Sequence, residues 1–182
     1  MPIEIVLPLT SPESEWIRGR AVTKMSPTRD HARLQTELVV ALAPWSRGRG
    51  EVGTEWRFRL APPGEERRPL VPDIAFVASE QLRGLAREEL QAPDFAPAVA
   101  IEILSPGDAR ADVESKIEVY LRSGTQLVVI VDPVRRRMQL HDGIAPPTDL
   151  TRDDVLTHPA MPGFSLSLAK LFATALDLFD LS

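Results

Sequence analysis

Cysteine is absent from this chain, which excludes a disulfide framework, thiolate zinc centres and a cysteine nucleophile. No stretch is apolar for long enough to span a bilayer. The first ten residues carry Glu4 and no basic residue before their short apolar run, so they do not read as a secretory signal. These absences lead to the expectation of a soluble protein of a reducing, cytoplasmic compartment with no membrane partner. Lysine is nearly missing: Lys24, Lys116 and Lys170 are the only ones, and the other 18 of the 21 Lys+Arg residues are arginine. A surplus of positive charge is missing too. The net charge of -5 gives no general affinity for a polyanion.

What is present suits one hydrophobic core. With 182 residues and 43% apolar composition, residues 1–182 are expected to form a single domain. Charge is unevenly spread. Residues 18–69 carry an excess of arginine and residues 70–182 an excess of acid. That pattern fits a phosphate backbone meeting a metal site, and equally a solvated arginine-rich surface.

The spacing of apolar residues predicts a first helix over residues 30–43, with Leu34, Leu38, Ala41, Leu42 and Trp45 on one side and Ser26, Thr28 and Asp30 available as caps. Val52, Thr54, Trp56, Phe58 and Leu60 alternate with Glu51, Gly53, Glu55, Arg57 and Arg59, predicting one half-buried strand over 51–60. Further strands are expected over 71–77 and 98–104, then a helix over 112–123 stopped by Gly124. The continuous apolar run 127–131 reads as a strand buried on both faces. A return strand over 138–141 and a last helix after Ser167 complete the order, with Leu168, Leu171, Phe172, Ala175 and Phe179 facing inward. This is an α/β pattern: a central mixed sheet flanked by helices, with a crossover between parallel strands at 98–131.

Two acids stand out because they lie inside apolar strands. In Val71-Pro-Asp-Ile-Ala-Phe-Val77, Asp73 shares a face with Ala75 and Val77. In Ala98-Val-Ala-Ile-Glu-Ile-Leu104, Glu102 shares a face with Ala98, Ala100 and Leu104. A carboxylate in such a strand is costly unless it is paired or holds a metal. Two on neighbouring strands repel, and a divalent cation removes the repulsion. Hard oxygen ligands favour Mg²⁺ or Mn²⁺. The plainer alternative has Asp73 capping a turn after Pro72 and Glu102 facing solvent at a strand end. Lys116 falls at the edge of the inward stripe of Ile117, Tyr120 and Leu121, where its stem can run along the core and bring the ammonium to the end of the strand that carries Glu102. A chain that uses arginine by default has lysine here. The alternative is an ordinary snorkelling lysine. His31 lies near the edge of the first helix's apolar stripe, as a core histidine or a site histidine. Gln35, one turn on, can hydrogen-bond in the same space.

At these residues the chain resembles the Uma-type restriction endonuclease family of the PD-(D/E)XK nuclease superfamily. The matching text is Val71-Pro-Asp-Ile-Ala-Phe-Val77, Ala100-Ile-Glu-Ile-Leu-Ser-Pro-Gly107 and Asp112-Val-Glu-Ser-Lys-Ile-Glu-Val-Tyr120 with Gly124. It is flanked by Met25-Ser-Pro27 with His31 and by Pro162-Gly-Phe-Ser-Leu166. The resemblance implies a restriction-endonuclease-like αβββαβ core, with a metal held by Asp73, Glu102 and the backbone carbonyl of Ile103. It further implies catalytic roles for Asp73, Glu102 and Lys116. The superfamily's usual lysine lies two residues after the second acid, where this chain has Leu104, and Lys116 on the following helix is the match. The Lys116…Tyr120 spacing also resembles a helix motif of RecB-like nucleases with glutamine in the lysine's place. Some superfamily members have a histidine near the metal at a position like His31.

Two functions follow as expectations. One is a Mg²⁺-dependent (or Mn²⁺-dependent) nuclease that cleaves phosphodiester bonds, in DNA by analogy, leaving 5′-phosphates. Arg57 and Arg59 would contact backbone phosphates, and a homodimer would make the two cuts a duplex needs. The other is a nuclease-fold module without activity that binds nucleic acid or a protein partner.

Overall fold

A computed structural model describes residues 3–177. In chain order its elements are β1 (Ser14–Ile17), β2 (Arg20–Thr23), α1 (Arg29–Ser46), β3 (Gly50–Thr54), β4 (Phe58–Leu60), β5 (Arg68–Leu70), β6 (Ile74–Ala78), α2 (Ser79–Leu82) and α3 (Arg87–Gln91). They continue with β7 (Val99–Ile103), α4 (Arg110–Arg122), β8 (Leu127–Asp132), β9 (Arg137–His141), β10 (Thr148–Leu150), β11 (Val155–Leu156), β12 (Leu166–Ser167) and α5 (Leu168–Leu176). The central sheet has six strands in the order β10-β9-β8-β7-β6-β3. Only β7 and β8 pair in parallel within it; α4 makes the crossover between them. The run α1, β3, β6, β7, α4, β8 is the expected αβββαβ core.

Strand alternation sorts the core into two layers. Ile74, Phe76, Val99, Ile101, Val129 and Val131 pack with Leu34, Leu38 and Leu42 of α1 and with Leu171 and Phe172 of α5. Ala75, Val77, Ala100, Val128 and Ile130 face the other way, against Ile117 and Tyr120 of α4 and Phe58 and Leu60 of β4. Both faces of β7 and β8 are therefore covered, which is why their sequences read as unbroken apolar runs. Helix α1 begins on Thr28, whose hydroxyl accepts the His31 N–H. It runs past the expected end at Ala43 and through Pro44 to Ser46. The added turn buries Trp45 against Phe76 and Phe164, and its indole N–H donates to the Pro162 carbonyl at 3.0 Å. Gly124 sits at φ 105, the left-handed stop expected after α4. Ser167 caps α5; Phe179 lies outside the described residues.

The structure corrects the expected strand over 51–60. The chain leaves the sheet at Glu55, a non-glycine residue at φ 51. Beyond it, Phe58–Leu60 pairs with β5 in a separate two-stranded ladder. Phe58 and Leu60 are fully buried in the α4-side layer, so burial of these two outweighs continuation of the ladder. The expected strand over 71–77 also starts later, at Ile74. Unanticipated is the hairpin β1–β2, turned at Arg18 (φ 48) and Gly19 (φ 76), whose first strand is mostly buried. Among the described residues no helix is long and apolar enough to cross a membrane.

Candidate functional site

The site forms where the carboxyl end of β7 meets the start of β6. The antiparallel register pairs Ile74 with Ile101, which brings Asp73, one residue before β6, to the same end of the pair as Glu102. Both acids are buried, at 3% and 8% exposure. They border a cleft of about 770 Å³ with His31, Gln35, Ile103 and Lys116, closed on one side by the β1–β2 hairpin. The structure thus collects in one cleft residues drawn from α1, the approach to β6, β7 and α4.

Each acid is held by a different set of donors. Asp73 Oδ2 accepts the Ile103 backbone N–H at 2.6 Å, and His31 Nε2 stands 3.2 Å from the same oxygen. Its Oδ1 accepts from the Lys24 ammonium at 2.7 Å. Gln35 donates to the Asp73 carbonyl at 2.8 Å, fixing the backbone behind the acid, and to Glu55 Oε1 at 3.1 Å. Glu102 Oε1 lies 2.7 Å from the Lys116 ammonium and accepts from the Tyr120 hydroxyl at 2.9 Å. Lys116 sits one turn before Tyr120 on α4, so the same helical face delivers both donors to Glu102.

Two residues of the site escaped sequence reasoning, and both come from the hairpin. Glu15 of β1 is 3% exposed; its carboxylate lies 3.0 Å from Lys116 Nζ and accepts the Val71 N–H at 2.7 Å. Lys24, just after β2, donates to Asp73 and to the Val71 carbonyl at 2.9 Å, and its ammonium is 2.9 Å from Glu55 Oε2. The scarcity of lysine pointed to Lys24 as much as to Lys116. No periodic pattern marked Glu15.

Arg57 and Arg59 are engaged elsewhere. Arg57 is 8% exposed, donates to the Leu7 and Pro8 carbonyls at 2.9 and 3.2 Å and pairs with Glu13. Arg59 donates to the Ala92 carbonyl at 3.0 Å and to Glu4 at 2.8 Å. Both tie down chain segments rather than lining the cleft, because the chain turns away from the central sheet at Glu55.

Charge explains the titration of the site. Three buried carboxylates, Glu15, Asp73 and Glu102, face two buried or nearly buried ammoniums, Lys24 and Lys116. Burial pushes Asp73 upward, but its bond with His31 and the charges of Lys24 and Lys116 win and hold it well below the usual carboxylate range. Burial also pushes Glu102 up, Lys116 opposes it, Asp73 and Glu15 add to it, and the result is about 7. Lys116 is raised: burial works against its charge, and Glu102 and Glu15 outweigh burial. Lys24 is raised in the same way, chiefly by Asp73. Glu102 bonds the Lys116 ammonium and the Tyr120 hydroxyl, and the charges of Lys116 and, more weakly, Lys24 do not offset its burial and the two neighbouring carboxylates.

The donor chemistry fits a divalent cation. The carboxylate oxygens of Asp73 and Glu102 are the hard type that Mg²⁺ and Mn²⁺ take, and the group of Glu15, Asp73 and Glu102 has more carboxylates than it has ammoniums. Among the described residues, though, no three of His, Asp and Glu stand together ready to hold an ion. The ammoniums now occupy the oxygens. No curated protein matches the chain. Among solved structures, one titled as a putative nuclease of the DUF820 family, from Anabaena variabilis, aligns with a TM-score of 0.81 and 26% identity over 93% of this chain and 95% of its own. Residues 6–169 match the family model described as "Putative restriction endonuclease", and the chain belongs to that family, Uma2.

Proposed function

We propose that this protein hydrolyses phosphodiester bonds in nucleic acid, with DNA as the polymer and Mg²⁺ or Mn²⁺ as the cofactor. In this reading residues 1–182 act as one cytoplasmic domain, and as a homodimer where both strands of a duplex are cut. The observation that carries it is the pairing of two buried carboxylates, Asp73 and Glu102, at one end of adjacent strands, with the Lys116 ammonium 2.7 Å from Glu102 in an open cleft.

Asp73, Glu102 and the Ile103 carbonyl would hold the ion, which supplies neutralisation of the phosphate and an acidified water. The chain's own residues do the rest. The Ile103 N–H and His31 fix the Asp73 carboxylate, and the Tyr120 hydroxyl fixes that of Glu102. The buried stem of Lys116 sets where its ammonium stands, between Glu102 and Glu15. There it can donate to the attacking water or to a phosphate oxygen as charge develops. Plasmid and RNA cleavage, beside calorimetric titration of Mg²⁺, tests the reading. Asp73→Asn and Glu102→Gln should abolish cleavage and weaken the ion. If both variants bind Mg²⁺ as tightly as wild type, the site is wrong.

A second reading, a nuclease-fold module that binds without cutting, is favoured by two observations. Leu104 stands where the superfamily places its lysine. The cleft is also lined by Glu13, Glu15, Glu55, Asp108 and Asp112 in addition to the two site acids, against Arg20, Lys24 and Lys116. Ion binding through Asp73 and Glu102 with no cleavage of DNA or RNA would support this reading.

A further inference from the structure

The Lys24 ammonium has the surroundings of a small bound cation. It lies 2.7 Å from Asp73 Oδ1, 2.9 Å from the Val71 carbonyl oxygen and 2.9 Å from Glu55 Oε2. Two of these oxygens carry formal charge and the third is a backbone carbonyl, a mixture of hard donors that a divalent ion also accepts. The side chain that reaches them is only 14% exposed.

Glu55 gives a separate reason to treat this as more than a surface ion pair. It is one of three non-glycine residues at positive φ among the described residues, at 51°. Backbone in that region persists for such a residue only where its surroundings demand it. Here its N–H reaches the Asp73 carbonyl at 3.3 Å, and Gln35 bonds its Oε1, leaving Oε2 to Lys24. Gln35 also bonds the Asp73 carbonyl. The strained turn and the α1 glutamine together aim the Glu55 carboxylate at the place beside Asp73 where the ammonium sits.

We propose that Lys24 is a resident cation: its ammonium fills the place between Asp73 and Glu55 in the metal-free protein, and a divalent ion enters the site only by expelling it. The inference rests on the reading of Asp73 as an ion ligand and goes beyond it, by adding Glu55 to the oxygens and a competitor to the binding equilibrium. It gives the Asp73 and Glu55 carboxylates a counter-charge in the metal-free protein. It also gives the hairpin a part in the site, since β2 carries Lys24 to Asp73 and β1 carries Glu15 to Lys116. An ammonium of fixed reach, unlike a diffusible salt ion, returns whenever the divalent ion leaves, so the buried Asp73 carboxylate is never without a counter-charge, while Glu55 beside it is 43% exposed.

The scarcity of lysine makes a direct test available. Wild-type protein is labelled with an amine-acylating reagent at one pH, with and without saturating Mg²⁺, and the extent at each lysine is read by peptide mass spectrometry. Lys170 is exposed and serves as the internal reference. Lys24 should be protected without Mg²⁺ and should gain labelling several-fold relative to Lys170 with it. Equal protection in both conditions overturns the proposal. In parallel, Mn²⁺ is titrated calorimetrically into wild type, Lys24→Met, Lys24→Arg and Glu55→Gln. Lys24→Met should bind Mn²⁺ about tenfold more tightly or better, because hydrogen bonds from an ammonium to carboxylates no longer have to be broken. Lys24→Arg should not gain, and Glu55→Gln should lose affinity. If wild type binds Mn²⁺ and Lys24→Met binds it no more tightly, the resident-cation proposal fails while the ion site stands. If neither binds Mn²⁺, the ion site itself fails and the proposal with it. Should Lys24→Met fail to fold, the labelling of wild type still decides.

Discussion

The two site acids should respond oppositely to neutralisation in the metal-free protein, and Glu102→Gln is the sharper case. Its carboxyl is pushed up to about 7 from 4.5 by burial, with Asp73 and Glu15 adding to the shift against Lys116. A raised carboxyl prefers to stay protonated in the fold. Between the ordinary value and the folded one, the unfolded chain releases a proton that the native protein keeps, so stability falls as pH rises through that window. Each pH step there costs about 1.4 kcal/mol, for an upper bound near 3 kcal/mol by neutral pH. Glutamine has no such term. Its carbonyl can still accept from Tyr120 and Lys116, and Lys116 keeps Glu15 at 3.0 Å. Wild type and Glu102→Gln should therefore be close in stability at pH 5, and the variant should be more stable by about 2 kcal/mol at pH 8. Urea unfolding in the presence of a chelator, at several pH values from 5 to 8, gives the comparison. A variant less stable than wild type at pH 8 would refute the argument, because it would mean that the ionised Glu102–Lys116 pair contributes more than burial of the charge costs.

Asp73→Asn should do the reverse and destabilise the metal-free protein by about 2 kcal/mol, since it breaks hydrogen bonds to a charged acceptor held below its usual range and leaves Lys24 with less counter-charge. A melting temperature at or above wild type would contradict that. Lys116→Met keeps the packing of the stem and both proposed ligands, so Mg²⁺ affinity by calorimetry should hold while single-turnover cleavage falls; loss of ion binding would instead make Lys116 structural. Arg57→Met should loosen the N-terminal segment, seen as faster proteolysis ahead of β1, at a cost of about 1–2 kcal/mol for the lost charged hydrogen bonds, and should leave the salt dependence of nucleic-acid binding unchanged. A smaller salt slope would restore Arg57 as a phosphate contact. Asp132 is buried, yet the Arg135 N–H and guanidinium hold its carboxyl low, so it contributes stability that is present above its ordinary value near pH 4 and lost as pH falls through the folded one. Asp132→Asn should thus flatten that part of the acid-unfolding curve, and an unchanged curve would count against a stabilising role for the Asp132–Arg135 bonds.

Regular elements explain most of what the sequence allowed to be read. Asp73, Glu102 and Lys116 are recognisable because each breaks or edges an apolar pattern of known period, while Tyr120 continues one and stands out only through the resemblance; the register of β6 on β7 and the pitch of α4 then bring them to one place. The strand over 51–60 misled for the complementary reason. Its alternation holds in the second half, where buried Phe58 and Leu60 flank half-buried Arg59, and fails in the first, where Thr54 is exposed; alternation is also blind to which sheet a half joins. Only the backbone at Glu55 records the change of direction, and glutamate is a poor sequence sign for a positive φ. The hairpin was hidden because its two strands have four residues each, too few for a period to show.

The Pro-Asp pair ties the legible half of the site to the hidden half. Pro72 has no N–H and does not extend the β6 ladder, which begins at Ile74. Its neighbour Val71 is fully buried with a free N–H and C=O that no strand takes up. A buried backbone group must find a partner, and both partners come from the hairpin: Glu15 accepts the N–H and Lys24 donates to the carbonyl. The same two side chains then reach Lys116 and Asp73. The break in the sheet that places an acid at the cleft thus also creates the backbone sites that anchor the residues neutralising it. A hairpin that looks like a peripheral addition is, by this chain of bonds, part of the site.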